Sequence, residues 1–297
     1  MTTIRPTGTK RGVLPFVRTD RTGPRHPISK IGLAVLFLIL SMLFLLPMYW
    51  LFLSGMRPNG AIFGADVNLL PTNLTLDNFY RLLTTTKFVT WFYNSVTQAF
   101  GFAALTVAIC TMGGFALAKY NFRGKSIIFV AILASQMLPF QMLIVSLFVE
   151  IVRLHLVDTY LGAVLPLAAH PIGLFFMRQT MIGISDELLA AARVDGASEF
   201  RLLWSVVVPN VRPAIATLFI LFTLEYWNNL LWPLIVFRSQ ENMPLAVGLE
   251  LMVNQYKAQY DLLLAGSALA TLPIILLFLA LRRQFMEGAA AIGTGGR

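Results

Sequence analysis

One cysteine and three histidines stand in a chain of 297 residues. Cys110 lies inside an apolar run, so a disulfide within the chain and a cysteine metal cluster are both excluded. His26, His155 and His170 are far apart, and no metal or cofactor constellation assembles from them. Charge is scarce as well. Charged residues make up 12% of the chain, against roughly 25% in ordinary soluble domains. Apolar residues make up 57%, and the mean hydropathy is +0.72. Too few charges are available to cover a water-soluble globule of this size, which leaves a chain solvated by lipid. A phosphate loop is lacking too. Gly124-Lys125-Ser126 ends like one, but the motif needs glycine at position 119, which is lysine. No nucleophile–base pair assembles within the apolar runs, so an intramembrane enzyme is not indicated.

What the chain has is six apolar runs near the length of about 20 residues that crosses a bilayer core. They cover residues 31–53, 95–118, 126–151, 160–177, 206–226 and 262–281. The first, third and sixth are clear. The second, fourth and fifth carry Gly, Pro or polar residues, which a lipid-embedded helix tolerates where neighbours or a wet cavity satisfy the backbone. No repeat relates the first three runs to the last three, unlike many secondary transporters. The first run is too long and too far from the start for a cleaved signal peptide. The expected fold is an all-α polytopic membrane protein with six transmembrane helices.

The net charge of +9 admits a nucleic-acid partner in principle, but the basic residues follow a membrane pattern instead. Seven lie before the first run, three in the connection 2–3 (Lys119, Arg123, Lys125), four in the connection 4–5 (Arg178, Arg193, Arg201, Arg212), and three after the last run. The other three connections share the remaining six. By the positive-inside bias both termini are cytoplasmic. Residues 1–30 read as a disordered basic arm, 31–284 as the membrane domain, and 285–297 as a cytoplasmic tail.

Connection 4–5, about 184–205, departs from a plain bundle. Ser185 is a natural N-cap, with Asp186 and Glu187 in the first turn, where the helix dipole favours acids. Leu188, Leu189, Ala191 and Ala192 give a short helix an apolar side. Gly196 stops it, because glycine accepts positive φ. Ser198 caps a second helix leading into the fifth run. The product is a knob suited to docking a partner.

The stretch Glu187-Leu188, Ala191-Ala192, Val194-Asp195-Gly196-Ala197, closing at Pro209, resembles the cytoplasmic loop of ABC importer permeases, especially the carbohydrate-uptake group with its MalG-type subunit. Further matches run in order along the chain: Asn94-Ser95, Ala118-Lys119-Tyr120, Phe122-Arg123-Gly124-Lys125, Met137-Leu138-Pro139, Trp227-Asn228, Pro244 to Leu249, Ala265-Gly266-Ser267 and Arg283-Gln284-Phe285. The family's glutamate in the loop is Ala190 here.

The resemblance implies a permease subunit forming half of a translocation pathway for a sugar. Its implied partners are a second permease, two ABC ATPase subunits and an external solute-binding protein, with ATP and Mg on the ATPase and no cofactor on this chain. It implies ATPase coupling by Glu187, Leu188, Leu189, Ala191, Ala192, Asp195, Gly196, Ala197 and Phe200, with Leu188, Leu189 and Phe200 docking the loop. It also implies binding-protein contact for the stretch 231–260. An importer of the same build for glycerol 3-phosphate is the alternative.

For the pathway itself the residues leave two readings. Glu225, Tyr226, Trp227 and Asn228, followed by Asn229, combine rings and hydrogen-bonding groups as sugar recognition requires, or form an interfacial aromatic belt. Gln136 and Gln141 flank Pro139 and either line a pathway or satisfy the backbone break there. His170 is either a packing or a pathway residue. Glu150 and Arg153 read as a surface pair.

Overall fold

The computed structural model describes residues 27–58, 73–254 and 259–294, the last of these as backbone only from 281 onward. The arm assigned to 1–30 lies outside them except where the first helix begins. All regular structure among the described residues is helical. Helix α1 (Pro27–Gly55) contains a 25-residue apolar segment, exposed along most of its length and buried only at its end, at Leu53, Ser54 and Gly55. The described residues up to Met48 form one unit, and those from Tyr49 onward form the second.

In the second unit, the short α2 (Asp77–Thr85) precedes α3 (Phe88–Lys119). Helix α3 starts seven residues before the apolar run expected at 95. Its 32 residues make a rod of about 48 Å. One face repeats at helical spacing through Asn94, Gln98, Phe102, Thr106, Cys110 and Phe115, all buried.

The third run is where expectation fails. Instead of one clear span over 126–151 there are two helices, α4 (Lys125–Ser135) and α5 (Phe140–Arg153), meeting at 103°. The cause is Pro139, which has no N–H and forces Leu138 away from helical geometry. Turn-like bonds from the N–H groups of Gln136, Met137 and Leu138 close α4 before the break.

The fourth run is also broken. Helix α6 (Tyr160–Val164) passes through a 3-10 turn at Leu165–Leu167 and meets α7 (Pro171–Ile182) at 56°. Proline again starts the second piece. After α7 come α8 (Asp186–Val194), α9 (Glu199–Leu202), a wide π turn (Leu203–Val207) and α10 (Val208–Asn210). Helix α11 (Arg212–Trp227) follows a bend of 83°, so the fifth run begins seven residues earlier than 206 and is not straight.

The stretch after α11 is ordered rather than a bland loop. It forms α12 (Leu231–Val236), a turn over 237–244 and α13 (Leu245–Asn254), before α14 (Tyr260–Thr294). The turn is pinned to α3. Asn94 donates to the carbonyls of Glu241 (2.6 Å) and Met243 (2.9 Å), Gln98 donates to that of Asn242 (2.9 Å), and Ser95 Oγ accepts from Leu245 N (2.7 Å). Asp158 Oδ1 accepts from the N–H groups of Arg238 and Ser239. These bonds hold its carboxyl below the usual range, against the opposing effect of burial. Helix α14 continues unbroken past 285, where the tail was expected.

The core is the α3, α7, α11 packing, made close by small residues. A Cβ at Gly114 would lie 2.7 Å from Met177 Cβ and 3.0 Å from the Arg178 N–H nitrogen, and one at Gly173 would lie 2.8 Å from Cys110 Sγ. Gly114→Leu is expected to cost at least the ~1–3 kcal/mol of core overpacking, because backbone stands in the way. The check is the melting temperature of the purified protein in detergent, against a Gly101→Leu control whose added Cβ meets nothing within 4 Å.

Candidate functional site

Two places gather chemistry. The first is the segment from the end of α7 through α9. Ser185 Oγ accepts from Glu187 N at 3.2 Å and Ser198 Oγ from Arg201 N at 3.3 Å, so both expected caps form. Gly196 takes φ +83°, the left-handed region where a side chain costs about 1–2 kcal/mol. The segment is tied to the end of α3 by groups that sequence reasoning passed over. Lys119 Nζ donates to Ile184 O (2.6 Å) and to Asp186 Oδ1 (2.7 Å). Arg193 forms a two-pronged pair with Glu199 (2.7 and 3.1 Å), whose carboxylate also accepts from the Tyr120 hydroxyl.

The apolar residues of α8 divide. Leu189 is 2% exposed and packs into the core, with Ala192 against it. Leu189 therefore holds the helix to the bundle and is not on the docking face expected of it; helical spacing turns it away from Leu188. The outward apolar surface is Leu188, Phe200 (70% exposed) and two residues not anticipated, Val194 (87%) and Trp204. Phe200 and Trp204 pack edge to face. Glu187, Ala191, Asp195 and Gly196 are exposed, and Ala197 is half-buried.

The second place is a cavity of about 500 Å³ at the two helix breaks. Gln136, Gln141, His170, Glu225 and Asn229 contribute polar groups, and Phe102 and Phe140 contribute rings. Of the six residues expected along the pathway, Gln136, Gln141 and Glu225 line this cavity. The other three do not. Tyr226 is buried against Phe102, its hydroxyl 3.3 Å from Gln98 Oε1. Trp227 lines a separate apolar cleft and meets Phe92 edge-on. Asn228 is exposed and donates back to Leu224 O at 2.7 Å. Consecutive helical residues step by about 100°, so these four spread over about 300° and cannot share one face.

His170 Nε2 lies 3.4 Å from Glu225 Oε1, and its Nδ1 accepts from Gly173 N at 3.4 Å, capping α7. Among the described residues neither the Gln136 nor the Gln141 side-chain amide has a hydrogen-bond partner, so these side chains do not satisfy the break. Lys125, in the sequence resembling a phosphate loop, donates instead to Tyr120 O (2.8 Å). Glu150 and Arg153 form the surface pair expected of them.

The chain matches the family of binding-protein-dependent transport system inner membrane components over residues 110–286. It is 36% identical over 279 residues to the arabinooligosaccharides transport system permease protein AraQ of Bacillus subtilis, covering 93% of this chain and 99% of that protein. It is 28% identical to the sn-glycerol-3-phosphate transport system permease protein UgpE of Yersinia pestis, covering 86% and 93%. The crystal structure of a bacterial ABC transporter involved in the import of the acidic polysaccharide alginate contains a chain with TM-score 0.74 and 25% identity, covering 91% of this chain and 99% of that one. The chain belongs to the family of binding-protein-dependent transport system inner membrane components. It is a multi-pass membrane permease of the ABC-importer type.

The Arg193–Glu199 pair sets a pH prediction. Arg193 and the Tyr120 hydroxyl hold the Glu199 carboxyl down at about 2 against an ordinary 4.5. A lowered carboxyl stabilises the fold above its unfolded pKa and ceases to do so as pH falls through its folded pKa. The spacing of spin labels at Val194 and Arg201 is expected to stay narrow from neutral pH down to about 4.5 and to broaden progressively toward about 2. Glu199→Gln is expected to broaden it already at neutral pH. Because the pair is exposed, high salt weakens it. An unchanged distribution in Glu199→Gln would show that the pair does not order the segment.

Proposed function

We propose that this chain is one of two permease subunits of an ATP-driven importer, and that it forms half of the pathway for a di- or oligosaccharide supplied by an external binding protein. The observation that carries the coupling part is the α8–Gly196–α9 turn. It presents Leu188, Val194, Phe200 and Trp204 outward while Lys119 and Tyr120 fasten it to α3. An apolar knob on a fixed mount is what a partner needs to push a helix bundle between two states. The partner is a separate ATPase subunit bearing ATP and Mg, one of two in the assembly, and the knob and both termini lie on its cytoplasmic side. Ala190 leaves the docking face to be apolar where the family carries an acid.

The sugar reading draws on AraQ, whose match covers nearly all of both chains. Transport of glycerol 3-phosphate is the second reading, favoured by UgpE. The ordered stretch 231–254 supplies the surface for the binding protein, since the turn over 237–244 is held rigidly by α3.

Pull-down of the tagged chain from its own host is expected to bring an ABC ATPase and a second permease; a chain that purifies alone and transports without ATP removes the proposal. Gly196→Leu is expected to leave insertion and assembly intact, because an added Cβ meets nothing within 4 Å, but to separate ATP hydrolysis from uptake. The measurement is sugar uptake per ATP hydrolysed in proteoliposomes, where an unchanged ratio counts against the coupling role.

A further inference from the structure

We propose that the cavity at the two helix breaks is a solute site of this chain that selects neutral, hydroxyl-rich molecules over anions, with Glu225 as the selecting charge. This rests on the importer reading and deepens it. The cavity's volume of about 500 Å³ falls among small-molecule sites, which span about 300–1,000 Å³. Its chemistry is that of carbohydrate recognition. Gln136 and Gln141 are amides without partners among the described residues, and each offers two donors and an acceptor to hydroxyl groups. Phe102 and Phe140 supply apolar ring surface beside them.

Charge decides the class. Among the described residues, the only ionisable side chains lining the cavity are His170 and Glu225; neither Lys nor Arg is among them. His170 Nδ1 accepts from Gly173 N, so that nitrogen bears no proton. The remaining ring nitrogen, Nε2, carries it and faces Glu225 Oε1 at 3.4 Å. His170 thereby offers Nε2 as a donor, and Glu225 is the acidic group it faces. Two helices begin at the cavity, α5 at Phe140 and α7 at Pro171, each with about half a positive charge at its N-terminus. The C-terminal ends of α4 at Ser135 and of α11 at Trp227, just after Glu225, lie at the same place with the opposite partial charge, so the helix ends offset one another and Glu225 sets the sign. A phosphate or uronate would set a second acidic group beside Glu225, where neither Lys nor Arg lines the wall to offset the repulsion. A neutral saccharide meets only open hydrogen-bonding groups.

The test is made on the purified protein with whatever subunits accompany it, in nanodiscs and without ATP. Ser135→Cys in a Cys110→Ser background places a thiol at the cavity wall, away from the proposed ligands, and its reaction rate with a maleimide is read. Free maltotriose, raffinose and arabinotriose form the neutral panel; glycerol 3-phosphate and trigalacturonate form the anionic one. At least one neutral sugar is expected to slow labelling by about tenfold at saturation, a change equal to 1.4 kcal/mol, with no effect of either anion. Glu225→Gln is expected to weaken that protection, read as the ratio of labelling rates with and without sugar within the same variant. Glu225→Lys is expected to let an anion protect. Protection by an anion alone, no protection by any of the sugars, or indifference to both Glu225 variants overturns the proposal. The readout needs no turnover: ATP-driven uptake without protection sinks this site alone, whereas protection in a chain that binds no ATPase sinks the importer reading and leaves the site standing.

Discussion

A backbone amide in hydrocarbon has no water to bond with, and this constraint governs the whole molecule. It demands helices wherever the chain meets lipid, and it penalises every interruption. The chain nevertheless interrupts three of its apolar runs, bending them by 103°, 56° and 83°. Two of the interruptions, at Gln136–Pro139 and Ala168–His170, border the same cavity. Freed peptide groups and polar side chains thus share one place where polar matter is tolerated. The cavity and the breaks are two views of the same requirement.

The third bend, ahead of α11, serves a different end. Between α7 and α11 the chain leaves the bundle, turns at Gly196 and returns through α9, the π turn and α10. This excursion is anchored by Lys119 and Tyr120 at the end of α3, by the caps Ser185 and Ser198, by its own Arg193–Glu199 pair, and by Leu189, which reaches into the core. A segment held this way presents apolar residues outward without collapsing onto the bundle. Hydrophobic side chains exposed on a rigid mount are characteristic of interaction surfaces.

Local signals made much of this legible in the sequence. Six apolar runs, two serine caps and a glycine with positive φ are one-dimensional features, and the structure contains each. Pathway residues were harder, because Glu225 to Asn228 look like one motif in a string but radiate in different directions around α11. Only Glu225 reaches the cavity. Leu189 was misplaced for the same reason, since neighbours in sequence on a helix are about 100° apart. The Arg193–Glu199–Tyr120 cluster and the Lys119 anchor leave no trace in any short window. Lys119 is 67 residues from Asp186, and only the fold brings them together. The turn over 237–244 is ordered for a similarly remote reason, through the amides of Asn94 and Gln98 on α3.

Helix α3 carries the turn over 237–244 near one end and the α8 segment at the other. Asn94 grips the first and Lys119 the second, about 37 Å apart along a single uninterrupted helix. Unlike its neighbours it has no break at which to absorb a displacement. A tilt of about ten degrees around its midpoint swings each end by about 3 Å in opposite senses. A rigid tilt of this helix would therefore move the two segments fastened to its ends by comparable amounts in opposite senses, with no relay of side chains in between.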